Sequence, residues 1–501
     1  MSSIRKQTIL SSLLIYASLP FASLNTYFFV KQGSFTSDEY GLTRLFFDIG
    51  TNFYIIASLG VIPIIYKFYP YYKDNLHDKE NDLLGRTFLK ALIGFILLTI
   101  ACFVLQPLIE KNFGEHSKLF VDYYFWVLPY AFGMLLFSLL EGYSWALQKT
   151  VLPNFLRDAA TRLITTLFIL AYIFGFVRFH TFIILFSSLY VIITIVMVVA
   201  LAKTGNLHFT LKVSRVSKKF RKKIFKMQSL VFGNIVVNTL GSTVNGIIIA
   251  SLLGLTPTAI YSLALHAANL IQIPQQSLRN ISLGVLVRSW KDKDYSRIKD
   301  IYQRSSINML LLTMLVFGNA WLNAADGLKV LHIQDEYTAG IPLLLVFGII
   351  RIIDAGMGIN GQIIGASTFW RFDVITSIVM ISLRIPLSYF FIKEYGIMGS
   401  TYADLISLTV YNYIRMEFLR RKIGMQPFTV QTIYSLMLAL AGYFIAYILF
   451  YEQSGWFAII ARSTIFSGIL IGGTLIFKLT PDVMQLYGAA TKKLKFVKVQ
   501  S

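Results

Sequence analysis

The hydrophobic pattern of the chain consists of long apolar runs that contain no Asp, Glu, Lys or Arg. A bilayer core of about 30 Å needs about 20 apolar helical residues, so each such run predicts a transmembrane helix. Seven runs qualify: residues 7–30, 49–66, 91–109, 123–140, 179–202, 305–325 and 423–451. Residues 227–278 are too many for one helix and contain the turn signal Gly254-Leu255-Thr256-Pro257, so they predict a helical hairpin.

Five further segments are apolar except for one or two ionisable residues. They cover residues 159–177, 337–366, 370–392, 396–415 and 456–477. The complete pattern therefore predicts an all-α polytopic membrane protein with fourteen transmembrane helices. Composition agrees, because 55% of the residues are hydrophobic and only 14% are charged, whereas soluble domains carry roughly 25% charged residues.

The basic residues alternate between the two sides of this predicted topology. With a cytoplasmic N-terminus, every second connection is basic. Together, these cytoplasmic connections contain most of the 46 Lys and Arg residues. The C-terminus is then cytoplasmic as well. The net charge of +21 therefore reflects topology and contacts with anionic inner-leaflet lipid, and does not indicate nucleic-acid binding.

Similar residues recur at a nearly constant offset in the two halves of the chain. Asn25 precedes Asn245 by nearly the same interval that separates Tyr40-Gly41-Leu42 from Tyr261-Ser262-Leu263. We interpret spans 1–6 and 7–12 as parallel repeats, with spans 13 and 14 outside them. The predicted organisation is an N-lobe (1–203), a basic cytoplasmic linker (204–226), a C-lobe (227–422), the two extra spans (423–480) and a basic cytoplasmic tail (481–501).

The N-terminal region carries several short motifs in a recognisable order. They are Asn25-Thr26-Tyr27-Phe28-Phe29, Asp38-Glu39-Tyr40-Gly41-Leu42-Thr43-Arg44, Ala57-Ser58-Leu59-Gly60 and Tyr66-Lys67-Phe68-Tyr69-Pro70-Tyr71-Tyr72-Lys73. Together with the 6+6+2 topology, these motifs resemble bacterial polysaccharide flippases. Those are the O-antigen (Wzx-type) translocases of the multidrug/oligosaccharidyl-lipid/polysaccharide exporter superfamily.

The resemblance implies a fold and a substrate. It implies a V-shaped pair of lobes with a central cavity, which would pass an undecaprenyl-pyrophosphate-linked oligosaccharide to the outer leaflet of the bacterial inner membrane by alternating access. Such a unit would serve O-antigen, lipopolysaccharide or another surface polysaccharide. The expected partners are this lipid-linked substrate and membrane lipids, with other polysaccharide-assembly proteins left open and nucleic acid excluded. No cofactor is expected.

Ionisable residues inside a bilayer are costly, so each should be paired, interfacial or functional. Helical spacing predicts the pairs Arg44–Asp48, Asp158–Arg162 and Arg351–Asp354. The hairpin of spans eleven and twelve places Arg384 and Asp404 at one depth, which predicts a structural pair.

Arg279 has no acidic neighbour on its own helix, and the same helix carries a polar stripe. Amide and cationic side chains on one helix face could bind sugar hydroxyls and a diphosphate. The alternative role for the same side chains is hydrogen bonding between neighbouring helices. The predicted cavity residues are Arg44, Arg279, Arg351, Asn25, Asn234, Asn238, Asn245, His266, Asn269 and Gln276.

The main rival function is a cation-coupled multidrug antiporter of the same superfamily. It would need an acidic ion site, for which Asp48 and Glu141 are the deep candidates. A membrane-embedded polysaccharide polymerase is a weaker rival, because it would want a long outer loop or a catalytic acid–base cluster. We find no nucleophile with a general base and no histidine pair at metal-ligand spacing, so the sequence predicts a transporter rather than an enzyme, without a metal.

Overall fold

The computed structural model describes residues 14, 17–18, 20–205 and 207–483. Part of the first predicted span and most of the predicted basic tail, 481–501, lie outside these residues. The described chain is all-helical, as predicted. It divides into two compact units, residues 1–259 and 260–501.

The first unit contains eleven described helices. They are α1 (20–30), α2 (Ser37–Ser58), α3 (Ile62–Lys73), α4 (Leu83–Val104), α5 (Gln106–Phe113), α6 (Lys118–Tyr123), α7 (Val127–Ala146), α8 (Val151–Asn154), α9 (Thr161–Ile173), α10 (Phe179–Lys203) and α11 (Arg215–Leu252). A π-helix, Phe155–Ala160, joins α8 to α9. Helix α2 packs against α4, α7 and α11, and α10 packs against α7 and α9.

The second unit takes up most of α12 (Leu255–Lys291) and all later helices. These are α13 (Tyr295–Leu322), α14 (Ala324–Val330), α15 (Ile341–Gly356), α16 (Asn360–Ala366), α17 (Trp370–Tyr395), α18 (Ile397–Ile423), α19 (Val430–Leu449) and α20 (Trp456–Ile476). Helix α18 packs against α15 and α17, while α13 packs against α15, α19 and α20.

Ten helical stretches in the described residues are long and apolar enough to cross a membrane. The count of fourteen spans is therefore not confirmed. Segments that correspond to predicted spans five, eight and twelve are helical, as α9, α12 and α18, but fall outside the ten. Span five is interrupted by the π-helix, which leaves α9 with only 13 residues.

Local sequence signals account for the helix ends. Thr36 and Glu39 form a capping box that starts α2, and Leu59 ends that helix in the left-handed region with φ of 48°. The predicted span 49–66 is thus extended towards the N-terminus and broken at residues 59–61. The predicted turn between spans seven and eight is confirmed at Gly254, whose φ is +108°.

The basic segment 204–226 is only partly a linker. Ser214 caps α11 by accepting a hydrogen bond from the backbone N–H of Ser217, and the helix then continues from Arg215 through the cluster of Lys and Arg residues. Lys and Arg favour helix, so the charge density that predicted a linker is compatible with helix extension. Because α11 packs against α2 and α3, it belongs to the first compact unit. The predicted six-plus-six repeat stays a prediction.

Candidate functional site

An arginine cluster lies in the second unit, where α12 meets α15. Arg279 forms an ion pair with Asp354, with Nη2 and Oδ2 2.6 Å apart. The two side chains are 22% and 16% exposed, so the pair is accessible at one edge. Arg279 therefore has an acidic partner after all, supplied by a helix remote in sequence.

Arg351 contributes a second guanidinium to this cluster. Its Nη2 donates a hydrogen bond to Oδ1 of Asn269 on α12, at 3.0 Å. The predicted helical pair Arg351–Asp354 is wrong, because the Asp354 carboxylate turns to Arg279 instead. Asp354 still attracts Arg351 electrostatically, and Arg279 repels it.

The arginine cluster keeps spare donor capacity. The Nε atoms of Arg279 and Arg351 are both buried without a hydrogen-bond acceptor among the described residues. Asp354 pairs with Arg279 and also accepts a 3.3 Å hydrogen bond from the amide of Asn412, whereas Arg351 bonds to the uncharged side chain of Asn269. A net positive, amide-lined cluster of this kind can accept an anionic group.

The other predicted residues of α12 lie around this cluster. Gln276 and Asn269 are exposed, and His266 is half-buried. At helical spacing, residues 269, 276 and 279 share one face of α12. Gln275 lies elsewhere, because its amide is fully buried and donates to Oγ1 of Thr313 at 2.7 Å. Some polar side chains of α12 are therefore accessible to a ligand, whereas Gln275 is buried and bonds to a neighbouring helix.

Further ion pairs in the second unit serve packing. The predicted Arg384–Asp404 pair is confirmed, with Nη2 and Oδ2 2.8 Å apart. Arg462 pairs with Asp326 at 2.6 Å, a contact between α20 and α14 that spacing could not reveal. Arg415, on α18, pairs with Asp373 on α17.

The first unit contains a cation without a carboxylate partner. Arg44 is half-buried on α2, where its guanidinium lies 5.1 Å from the ring centroid of Phe47. Its Nε is buried and unbonded, and Asp48, one turn away on α2, attracts its charge without a hydrogen bond to it. The predicted Arg44–Asp48 ion pair is therefore wrong at contact distance, although the two charges attract each other.

Asp48 instead faces α11. A Cβ added at Gly246 would collide with its carboxylate, so the absence of a side chain there makes room for the acid. One turn further along α2, Asn52 donates to Oγ1 of Thr243 at 2.7 Å. These contacts join α2 to α11 through small and uncharged groups.

The predicted asparagines of the first unit have different environments. Asn25 is buried, with its amide donating to the carbonyl of Arg162 at 2.9 Å and accepting from Thr166 at 2.6 Å. Asn245 is fully buried. Asn234 and Asn238 are exposed on α11 and bond to each other, with Nδ2 of Asn238 2.9 Å from Oδ1 of Asn234. Of the four, Asn234 and Asn238 are placed to meet a ligand.

Glu141 is engaged by a basic residue that sequence spacing did not connect to it. Arg157 lies 2.8 Å from its carboxylate and 3.9 Å from Asp158. The predicted Asp158–Arg162 pair is wrong, since Arg162 donates to Oγ of Ser18 at 2.7 Å. The π-helix explains the error, because its wider turn moves residues four apart out of line. Within the described residues, no group of three or more His, Cys, Asp and Glu side chains could hold a metal ion.

The fold is similar to that of solved flippases and transporters. Lipid II flippase MurJ in an inward closed conformation matches with a TM-score of 0.72 at 14% identity, covering 94% of this chain and 98% of its own. An inward-facing multidrug resistance MATE family transporter of the MOP superfamily matches with a TM-score of 0.63 at 13% identity, covering 81% and 94%. The MATE multidrug transporter DinF-BH, in a ligand complex, gives 0.56 at 16%, covering 84% and 95%.

These likenesses show a fold that the chain shares with the lipid II flippase and the MATE transporters. They do not single out an O-antigen flippase, because identities of 13–16% carry information on fold alone. No protein-family model and no curated protein sequence matches the chain.

Proposed function

We propose that this protein is a flippase that moves an undecaprenyl-pyrophosphate-linked oligosaccharide, such as an O-antigen or other surface-polysaccharide unit, from the inner to the outer leaflet of the bacterial cytoplasmic membrane. The lipid-linked oligosaccharide is its partner, and transport proceeds by alternating access. The observation that carries the proposal is the arginine cluster, in which Asp354 is ion-paired with Arg279 while the guanidinium of Arg351 donates to the uncharged side chain of Asn269.

The chemistry of this cluster suits a pyrophosphate better than a drug cation. Guanidinium groups form charge-assisted, bidentate hydrogen bonds with phosphate oxygens, and the Arg279 side chain is 22% exposed. A cationic drug would be repelled by the same charges. The neighbouring Asn269 and Gln276 side chains are exposed and able to bond to sugar hydroxyls.

The first test is deletion of the gene in its own host, with surface polysaccharide and undecaprenyl-linked glycan measured together. A flippase predicts loss of surface glycan and accumulation of the lipid-linked precursor in the inner leaflet. Unchanged glycan with altered sensitivity to toxic cations would reject the proposal. It would support the alternative function, a multidrug antiporter, whose fold the MATE transporters share.

The second test addresses Arg279 in the complemented deletion strain. We expect Arg279→Gln to reduce surface glycan by about tenfold or more, the loss that follows from removing one charged hydrogen bond to the substrate. Arg288→Gln is the matched control, because Arg288 is exposed on the same helix and pairs only with Asp292.

A double variant separates substrate binding from neutralisation of Asp354. If Arg279 only compensates Asp354, then Arg279→Gln/Asp354→Asn should restore glycan export. If Arg279 binds the pyrophosphate, the double variant should remain defective. Full activity of the single variant would remove the cluster from the mechanism.

A further inference from the structure

A second basic site lies in the first unit, distant in sequence from the arginine cluster. Here α3, α4 and the first turns of α11 enclose a pocket of about 480 Å3. Four cationic side chains line it: Arg86 and Lys90 from α4, and Arg221 and Lys222 from α11. We call this the basic pocket. From the sequence alone, these residues served only as markers of topology.

The charges of the basic pocket are not balanced by acids. None of its lining residues is acidic. Asp82 lies next to it, but its carboxylate accepts hydrogen bonds from Oγ of Ser217 at 2.7 Å and the N–H of Ser214 at 3.0 Å. Arg86 is 3.7 Å from the same oxygen. The one neighbouring carboxylate holds the start of α11 and lies near Arg86, while the pocket lining itself carries four cations and no acid.

The pocket is held in place by a polar framework. Nζ of Lys90 donates to Oε1 of Gln228 at 2.9 Å, and the amide of Gln228 donates to the carbonyl of Leu59 at 2.8 Å. Tyr72 bonds to Ser217 at 2.7 Å on the opposite wall. Lys90 is therefore oriented before any ligand binds, which lowers the entropy cost of binding.

The remaining walls are apolar. Val61, Ile64, Leu83 and Ile224 line the pocket, and Phe225 lines it while being 69% exposed. A free phosphate ion would gain nothing from these walls. A lipid would place its phosphate among the cations and the start of its acyl chains against Phe225.

We propose that the basic pocket binds the phosphate headgroup of an anionic membrane lipid. The predicted topology places it at the cytoplasmic face, where anionic lipids are attracted to Lys and Arg. Two lipid sources share this chemistry, an anionic phospholipid and a polyprenyl pyrophosphate. The proposal goes beyond the flippase function and does not depend on it.

The experiment titrates the purified full-length protein in detergent and measures binding by native mass spectrometry. The four ligands are phosphatidylglycerol, phosphatidylcholine with the same acyl chains, farnesyl pyrophosphate and inorganic phosphate. Phosphatidylglycerol should bind much more tightly than phosphatidylcholine. The variant Lys90→Gln/Arg221→Gln/Lys222→Gln should weaken the binding of phosphatidylglycerol by about a hundredfold, as expected for three lost charges.

The matched control is Lys218→Gln/Lys219→Gln/Lys223→Gln. It removes the same number of charges, all from α11, but these lysines do not line the pocket. It should change the affinity by no more than about fivefold, because charges outside the pocket act on the ligand only through salt-screened solvent. Equal losses in the two variants would overturn the proposal, and Lys90→Arg, which keeps the charge, should retain binding and exclude misfolding as the cause.

The remaining titrations identify the source of the phosphate. Farnesyl pyrophosphate binding that exceeds phosphatidylglycerol binding, and is lost in the pocket variant, would assign the pocket to a polyprenyl pyrophosphate; the reverse order would assign it to a phospholipid. Displacement of both lipids by inorganic phosphate at equal concentration would overturn the lipid proposal.

Discussion

Two regions of the molecule accommodate arginines differently: helices α17 and α20 of the second unit, and helix α2 of the first unit. In the second unit, Arg384 and Arg462 each contact an aspartate at 2.8 and 2.6 Å, and both arginines are at most 15% exposed. In the first unit, the guanidinium of Arg44 lies over the ring of Phe47, and Asp48 attracts it without a hydrogen bond. In a buried ion pair, each charge is neutralised by its partner, whereas a cation without a contacting carboxylate retains the capacity to bind an anion.

The difference indicates which arginines maintain the fold and which are available for function. Breaking a buried pair leaves one desolvated charge and is strongly destabilising. Removing Arg44 breaks no ion pair at contact distance, although Asp48 loses a nearby attracting charge. Substitution of Arg384 or Arg462 should therefore lower stability far more than substitution of Arg44.

The largest expected effect on stability comes from Arg384→Leu, which strands Asp404 between α17 and α18. We expect a loss of about 3–5 kcal/mol in the free energy of unfolding, measured by denaturation of the purified protein in detergent. The double variant Arg384→Leu/Asp404→Leu should recover most of this loss. If the single and double variants were equally unstable, side-chain packing and not the charge pair would explain the effect.

The next largest effect tests close backbone packing between helices of the first unit. A Cβ at Gly41 would collide with the backbone carbonyl of Leu255, which has no rotamer to change. Gly41→Ala should therefore cost about 1–3 kcal/mol by overpacking. Gly233→Ala is the control, because nothing lies within 4 Å of its added Cβ and alanine favours helix. Equal stability of the two variants would contradict close packing at Gly41.

A smaller loss is expected at the hydrogen bond between α2 and α11. Asn52→Ala removes the donor to Thr243, which should cost about 0.5–1.5 kcal/mol. Asn238→Ala provides a comparison, since Asn238 is exposed and bonds only within its own helix. Thermal denaturation of both purified variants would measure the difference, and a larger loss for Asn238→Ala would be inconsistent with this role for Asn52.

Sequence patterns predicted contacts that are short-range along the chain. The pair Arg384–Asp404 follows from a hairpin with its turn at Gly396, because residues on adjacent antiparallel helices have correlated depth. The turn at Gly254 follows from local backbone chemistry. Each of these needs only a helix, a turn and a count of residues.

Contacts between helices distant in sequence were not predictable in this way. Arg279 and Asp354 are 75 residues apart, and only the packing of the second unit brings α12 and α15 together. Spacing favoured Arg351 as the partner of Asp354 because both lie on one helix. The lining of the basic pocket was missed for the same reason, since α4 and α11 meet only in the folded unit.

The smallest expected effect on stability, and the sharpest test of the comparison, is Arg44→Gln. The substitution relieves the cost of a partly buried cation but also removes its attraction to Asp48, which lies beyond contact distance, so stability should change by no more than about 1 kcal/mol in either direction. If Arg44 contacts the anionic headgroup of the proposed substrate, surface glycan should nevertheless fall in the complemented deletion strain, and Arg44→Lys should restore part of it. A variant that loses stability together with glycan would place Arg44 with Arg384, among the residues that hold the fold. Constant stability with normal glycan would remove Arg44 from the transport path. Recognition of the headgroup would then rest on the arginine cluster of the second unit.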